Sequence, residues 1–71
     1  MEIAKGKTNG YKYVIKYFEN GSEFGINGGR ISKLWLENDG QTVANYDRGW
    51  DIYPETAEAI ELLDELIIKY N

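Results

Sequence analysis

The sequence has no cysteine and no histidine, and it has only one proline in 71 residues. Without cysteine there are no disulfide bridges and no thiolate metal ligands. Without histidine the chain lacks the usual zinc ligand and the usual general base. Ser22 and Ser32 are the only serines, and neither stands in a nucleophile-elbow context. We therefore expect no catalytic residue, no metal site and no cofactor, and we predict that the protein is not an enzyme.

Long apolar runs are missing as well. No stretch approaches the roughly 20 apolar residues that span a bilayer, and the N-terminus shows no signal-peptide pattern. We expect a cytoplasmic protein without a membrane partner. At this length we also expect a single domain over residues 1–71.

Charge is divided unevenly along the chain, whose net charge is −4. Residues 1–36 hold six basic and three acidic groups, which gives +3, whereas residues 37–71 hold two basic and nine acidic groups, which gives −7. Such asymmetry bears on surfaces and partners rather than on the fold.

Residue alternation and turn signals predict β-structure before residue 47. In YKYVIKYF, residues 11–18, tyrosines and an isoleucine alternate with lysines at the period of two that is typical of a strand. Asn9-Gly10 predicts a hairpin between strands at 1–7 and 11–19. Asn38-Asp39-Gly40 predicts a second hairpin between strands at 30–37 and 41–46, after which Trp50 and Ile52 are expected to lead inward.

The last part of the chain reads as an amphipathic helix. We expect Pro54 to open it, and one apolar stripe follows at a spacing of about 3.6 residues through Tyr70. The predicted fold is therefore α+β, ββββα, with a four-stranded antiparallel sheet of two hairpins and one C-terminal helix packed on one face. The residues expected in the core are Ile3, Tyr13, Ile15, Leu34, Leu36, Val43, Trp50, Ile60, Leu63 and Ile67.

Two segments, FGINGGRISKL (24–34) and YDRGWD (46–51), carry a resemblance to a known group of proteins. The sequence resembles a family of small uncharacterised proteins of clostridial-type bacteria and their phages, from Tyr11 to the terminal helix. The resemblance implies a mobile-element setting and no particular enzymatic activity. It also implies a place in the host cytoplasm, and a role as an inhibitor or decoy that acts by binding.

Acidic side chains on the predicted helix are the first candidate site. Glu58, Glu61 and Glu65 are spaced by three and four residues, so they stack along one edge with Cβ atoms about 5–6 Å apart. With the phage-related resemblance, this indicates an anti-CRISPR-like inhibitor that docks a DNA-mimicking face on a basic groove of a host protein. The alternative is a solvated face that keeps the protein soluble. The residues assigned to partner binding are Glu58, Glu61, Asp64 and Glu65, supported by Asp47 and Asp51.

A second candidate site lies in the basic half of the chain. The Gly25–Lys33 segment is either a phosphate cradle or an irregular connection between hairpins, and phosphate loops normally precede a helix rather than a strand. Lysines interleaved with tyrosines are typical of surfaces that hold nucleic acid or a nucleotide. The alternative ligand-binding residues are Arg30, Lys33, Arg48 and Trp50. A third hypothesis is a structural subunit, monomer or homodimer, that associates through a bare sheet face or edge.

Overall fold

The computed structural model describes residues 1–71 and shows an α+β fold with an antiparallel sheet and one helix. The five strands are neighbours in chain order, so the sheet is a meander. The helix has 14 residues, fewer than a bilayer-spanning helix requires. The strands are β1 (Glu2–Thr8), β2 (Tyr11–Tyr17), β3 (Ile31–Asn38), β4 (Gln41–Asp47) and β5 (Trp50–Ile52); a 3-10 turn spans Ile26–Gly28, and helix α1 spans Ala57–Tyr70.

Both predicted hairpin turns are confirmed. Asn9-Gly10 has φ values of 50° and 83°, and Asp39-Gly40 has φ values of 52° and 79°. Positive φ at both central residues defines the type I′ turn, whose twist matches that of the flanking strands. These two turns place β1 beside β2 and β3 beside β4.

The prediction of four strands is wrong, because residues 50–52 form a fifth. Arg48 adopts the left-handed region at φ 61°, and the Asp47 N–H donates to the Gly49 carbonyl at 2.9 Å. This tight turn reverses the chain, so Trp50 pairs with Tyr46 at the sheet edge instead of leading inward. A strand of three residues is too short to show a period of two in the sequence.

The helix begins three residues later than predicted. Thr56 is its N-cap, and the Thr56 hydroxyl accepts a hydrogen bond from the Ala59 N–H at 3.2 Å. A threonine at this position can accept a hydrogen bond from a free backbone N–H of the first helical turn. Pro54 has no side-chain oxygen and cannot accept one. Pro54 is instead buried ahead of the cap.

The core lies between one face of the sheet and α1. Its sheet side includes Ile15, Leu34 and Leu36, which were predicted there, and its helix side includes Leu63, also predicted. Ile3 and Trp50 were wrongly assigned to the core. The twelve buried hydrophobic residues are Tyr11, Ile15, Ile26, Ile31, Leu34, Leu36, Ala44, Tyr46, Ala59, Leu62, Leu63 and Leu66; Tyr13, Val43 and Ile67 pack against them partly buried.

The two misassigned residues lie on the edge strands. Ile3 is 53% exposed on β1, opposite Lys16, and so faces away from the helix. Trp50 is 37% exposed on β5, where it packs edge-on against Tyr46 and Tyr53 at centroid distances of 5.0 and 4.9 Å. A sheet covered by one helix leaves such positions in contact with water.

Candidate functional site

Four carboxylates project from the outer side of α1: Glu58, Glu61, Asp64 and Glu65, which we call the acidic helix surface. All four are exposed. The helical period places them there, because Ala59, Leu62, Leu63 and Leu66 are the buried residues of the same helix. The structure thus brings together the four helix residues that were assigned to partner binding.

None of these four carboxylates takes part in an ion pair. The two ion pairs of the structure, Lys12–Glu37 and Lys33–Asp47, both lie on the sheet. Lys69, the one helix lysine, has its ammonium group 5.4 Å from the ring centre of Tyr70. No ion pair within the chain therefore neutralises the acidic helix surface, although the Glu58 carboxylate also lies near the buried Tyr11 hydroxyl.

The supporting aspartates are not part of that surface. Asp47 ends β4 opposite Lys33 and pairs with that lysine at 3.8 Å. Asp51 is exposed in the middle of β5. The reason is topological, since both residues belong to the sheet layer and the four helix carboxylates lie on the outer side of the other layer.

The sheet face opposite the helix carries most of the lysines. Because directly paired residues of neighbouring strands project from the same face, the strand register identifies its members. Val14 pairs with Trp35, and Lys16 pairs with Lys33. Lys5 pairs with Val14, and Lys7 pairs with Lys12. We call this surface the open sheet face; its central members are Lys5, Lys7, Lys12, Val14, Lys16, Lys33, Trp35, Glu37 and Asp47.

The tyrosines do not share that face with the lysines. Tyr11 is 3% exposed in the core, and Tyr46 is 7% exposed, with its hydroxyl donating to the Phe24 carbonyl at 2.7 Å. Burial raises the pKa of Tyr11, and the Glu58 carboxylate raises it further. The prediction of a surface with lysines interleaved with tyrosines is therefore wrong, because strand alternation places the two residue types on opposite faces of the sheet.

Trp35 is the aromatic residue of the open sheet face, and the sequence interpretation missed it. Its indole N–H donates to the Thr42 hydroxyl at 3.0 Å, which fixes the ring on the neighbouring strand. A signal was present in the sequence, because both strands alternate with a period of two. Once β2 and β3 are paired, residues 12, 14 and 16 share one face with residues 33, 35 and 37. The antiparallel pairing of β2 with β3, needed to combine the two runs, was not predicted.

The glycine-rich segment forms a clasp for the end of α1. The Asn71 side chain accepts from the Ile31 N–H at 3.0 Å and donates to the Ile26 carbonyl at 2.9 Å. A Cβ on Gly29 would collide with that side chain, and a Cβ on Gly25 would collide with the Gly29 carbonyl. Glycine is therefore needed at these two positions because neighbouring atoms leave no room for a Cβ.

The same segment lacks the features of a phosphate cradle. The N–H groups of Gly25, Gly28 and Gly29 donate to carbonyls within the loop at 3.0, 3.0 and 2.8 Å. The Arg30 guanidinium donates to the Tyr70 carbonyl at 3.1 Å, at the negative end of the helix dipole. The geometry favours the alternative of an irregular connection between strands.

The remaining alternative ligand residues do not converge. The Arg48 guanidinium lies 4.5 Å from the ring centre of Phe24, while Trp50 packs against tyrosines. Lys33 belongs to the open sheet face. No group of three acidic residues is placed to hold a metal ion.

Comparison with known proteins places these features in a family. The model of one protein family, described as a domain of unknown function (DUF7678), matches residues 2–71. No curated protein and no solved structure matches the chain. The chain therefore belongs to the DUF7678 family, in agreement with the expected resemblance to a family of small uncharacterised proteins.

Proposed function

We propose that this member of the DUF7678 family is a non-enzymatic protein-binding module that docks its acidic helix surface on a basic groove of a partner protein. The partner is a host defence or nucleic-acid enzyme, and the chain is a phage-encoded, anti-CRISPR-like inhibitor that imitates DNA. The observation that carries this proposal is the segregation of charge between the two layers of the fold.

Segregation leaves the acidic helix surface without a counterion in its own chain. The five lysines of β1, β2 and β3 project from the far side of the sheet, and the four helix carboxylates are exposed and free of ion pairs. A basic groove approaching α1 meets four carboxylates and a single lysine, Lys69, so the field there is predominantly negative. Complementary fields of this kind steer association and orient the partner.

The spacing of the carboxylates supports nucleic-acid mimicry. Glu58, Glu61 and Glu65 stand on successive turns, and at 1.5 Å per residue the outer two are about 10 Å apart along the helix axis. A groove that binds nucleic acid presents lysine and arginine side chains to a row of phosphates. A regular row of carboxylates on a helix that is fixed to a sheet offers those lysine and arginine side chains hydrogen-bond acceptors comparable to a row of phosphates.

The arrangement also costs stability. Like charges three or four residues apart on a helix repel by a few tenths of a kcal/mol per pair. Glu61 has such a neighbour on each side, and no lysine stands near enough to pair with it. Solubility alone does not need the charges to be clustered, whereas a docking surface does.

The experiment is capture of a partner followed by competition. The protein is immobilised and exposed to a host lysate, and the captured protein is identified by mass spectrometry, purified and titrated with duplex DNA. We expect duplex DNA and the chain to compete for it. A captured protein that binds both at once would contradict mimicry, and self-association seen by sedimentation without a partner would favour the structural-subunit hypothesis.

Matched charge reversals locate the surface. The triple variant Glu58→Lys, Glu61→Lys, Glu65→Lys is expected to lose the captured partner. The control Glu2→Lys, Glu19→Lys, Glu23→Lys changes the net charge equally at exposed positions outside the helix and is expected to retain it. Circular dichroism verifies that both variants fold. Equal loss in the two variants would show that net charge, rather than the helix surface, governs binding.

A further inference from the structure

The open sheet face is locally basic in a chain that is acidic overall. Its five lysines stand against the carboxylates of Glu37 and Asp47, which leaves a local charge of +3. The two ion pairs there are long, at 4.0 and 3.8 Å, and the lysine side chains in them are still 55% and 48% exposed. The face therefore presents a positive potential, and α1, with its opposite charge, lies on the other side of the sheet.

Lysines on this face are placed directly opposite each other. Lys7 pairs with Lys12 across β1 and β2, and Lys16 pairs with Lys33 across β2 and β3. Like charges directly opposite in a sheet are destabilising. A polyanion bound over the face would offset the repulsion between these paired lysines. The pairing of the strands therefore favours the binding of an anion at this face.

Trp35 stands between two hollows that these lysines line. One hollow, of about 150 Å³, has Lys16 and Lys33 in its wall. The other, of about 330 Å³, has Lys5, Lys7 and Lys12 in its wall. Val14 and Trp35 belong to both, so they form an apolar ridge with cationic groups on either side.

We infer that the open sheet face binds single-stranded nucleic acid, with a base stacked on Trp35 and the flanking phosphates held by the lysines of the two hollows. Aromatic side chains that carry unstacked bases, beside cations that follow the backbone, are the general means of holding single strands. In a duplex the base faces are already stacked on each other, so they are not available to stack on an indole that is fixed on the sheet. This site is separate from the acidic helix surface and does not depend on the proposed docking of that surface.

Fluorescence anisotropy with a labelled thymidine oligonucleotide of about 20 nucleotides tests the inference at low and at moderate salt. We expect binding at about 20 mM NaCl that weakens steeply toward about 200 mM. Three to five phosphate contacts give a slope of log affinity against log salt of about −2 to −3.5. A duplex of the same length is expected to bind markedly less tightly.

Matched variants assign the binding to this face. Lys16→Glu is expected to weaken binding about tenfold at low salt, because it reverses a charge beside a bound phosphate. Lys69→Glu makes the same charge change on the helix and is expected to change affinity less than about twofold. Each variant is first shown to be folded by circular dichroism.

Intrinsic fluorescence tests the stacking directly. Trp35 and Trp50 are the two tryptophans of the chain. In a Trp50→Phe variant, Trp35 is the only one, and the oligonucleotide is expected to quench its emission along the same binding curve. Absence of binding at low salt, equal affinity for the duplex, equal loss in Lys16→Glu and Lys69→Glu, or binding without quenching would each overturn the inference.

Discussion

Replacing Glu61 by lysine is expected to make the protein more stable while weakening its docking on a partner. Glu61 lies three residues after Glu58, three before Asp64 and four before Glu65, and all four side chains are exposed on α1. Each of the three like-charge pairs costs about 0.2–0.5 kcal/mol, and each opposite-charge pair stabilises by a similar amount. Exchanging all three pairs therefore amounts to about 1.2–3 kcal/mol.

Two of the new pairs, those with Asp64 and Glu65, have the less favourable order, with lysine N-terminal to the acidic residue. We therefore expect a gain near the lower limit, about 1 kcal/mol, which for a domain of this size raises Tm by about 4–8 °C. The assay is urea and thermal denaturation followed by circular dichroism. At about 1 M salt, where the Debye length is about 3 Å, most of the gain is expected to disappear.

Two controls separate charge from other effects. Glu61→Gln removes the repulsion without adding attraction, so about half of the gain is expected. Glu19→Lys makes the same change at an exposed loop position and is expected to alter stability by less than about 0.5 kcal/mol. If Glu61→Lys is no more stable than the unaltered protein, the carboxylates do not repel each other, and the argument that they are clustered for docking fails.

Three further predictions concern the fold. Leu63→Ala, at 1% exposure, should cost about 2–5 kcal/mol of unfolding free energy in urea, whereas Ile68→Ala on the same helix, at 85% exposure, should cost less than about 0.5 kcal/mol; equal costs would contradict the packing of α1. Asn71→Ala removes both hydrogen bonds of the clasp and should cost about 1–3 kcal/mol in the same assay, and an unchanged midpoint would show that the clasp contributes nothing. The raised pKa of Tyr11 means that the folded state holds this proton more tightly, so stability present below about pH 10 should fall as the pH rises through that pKa. The alkaline loss of stability should be smaller in Tyr11→Phe than in the unaltered protein, and an identical loss in the two would contradict the assignment.

Local signals in the sequence predicted the elements that local physics determines. Asn-Gly and Asp-Gly turns need positive φ, which these residues tolerate, so both hairpins follow from the chain itself. The helical period likewise separates the carboxylates of α1 from its buried side. These features account for the α+β class and for the four members of the acidic helix surface.

Local sequence signals could not predict contacts between distant parts of the chain. The clasp joins Asn71 to Ile31 and Ile26, which are 40 and 45 residues away, and neither partner signals the other in sequence. The short strand β5 depends on a turn at Arg48 and on pairing with β4. The open sheet face likewise exists only once β2 and β3 are paired, which is why Trp35 was missed.

The most direct test of the docking proposal is an amide chemical-shift map of the labelled protein as the captured and purified partner is added. We expect the largest changes along α1 at Glu58, Glu61, Asp64 and Glu65, with the strands of the open sheet face little affected. A footprint on β1, β2 and β3, or on the exposed edge at β5, with α1 unperturbed, would contradict the account.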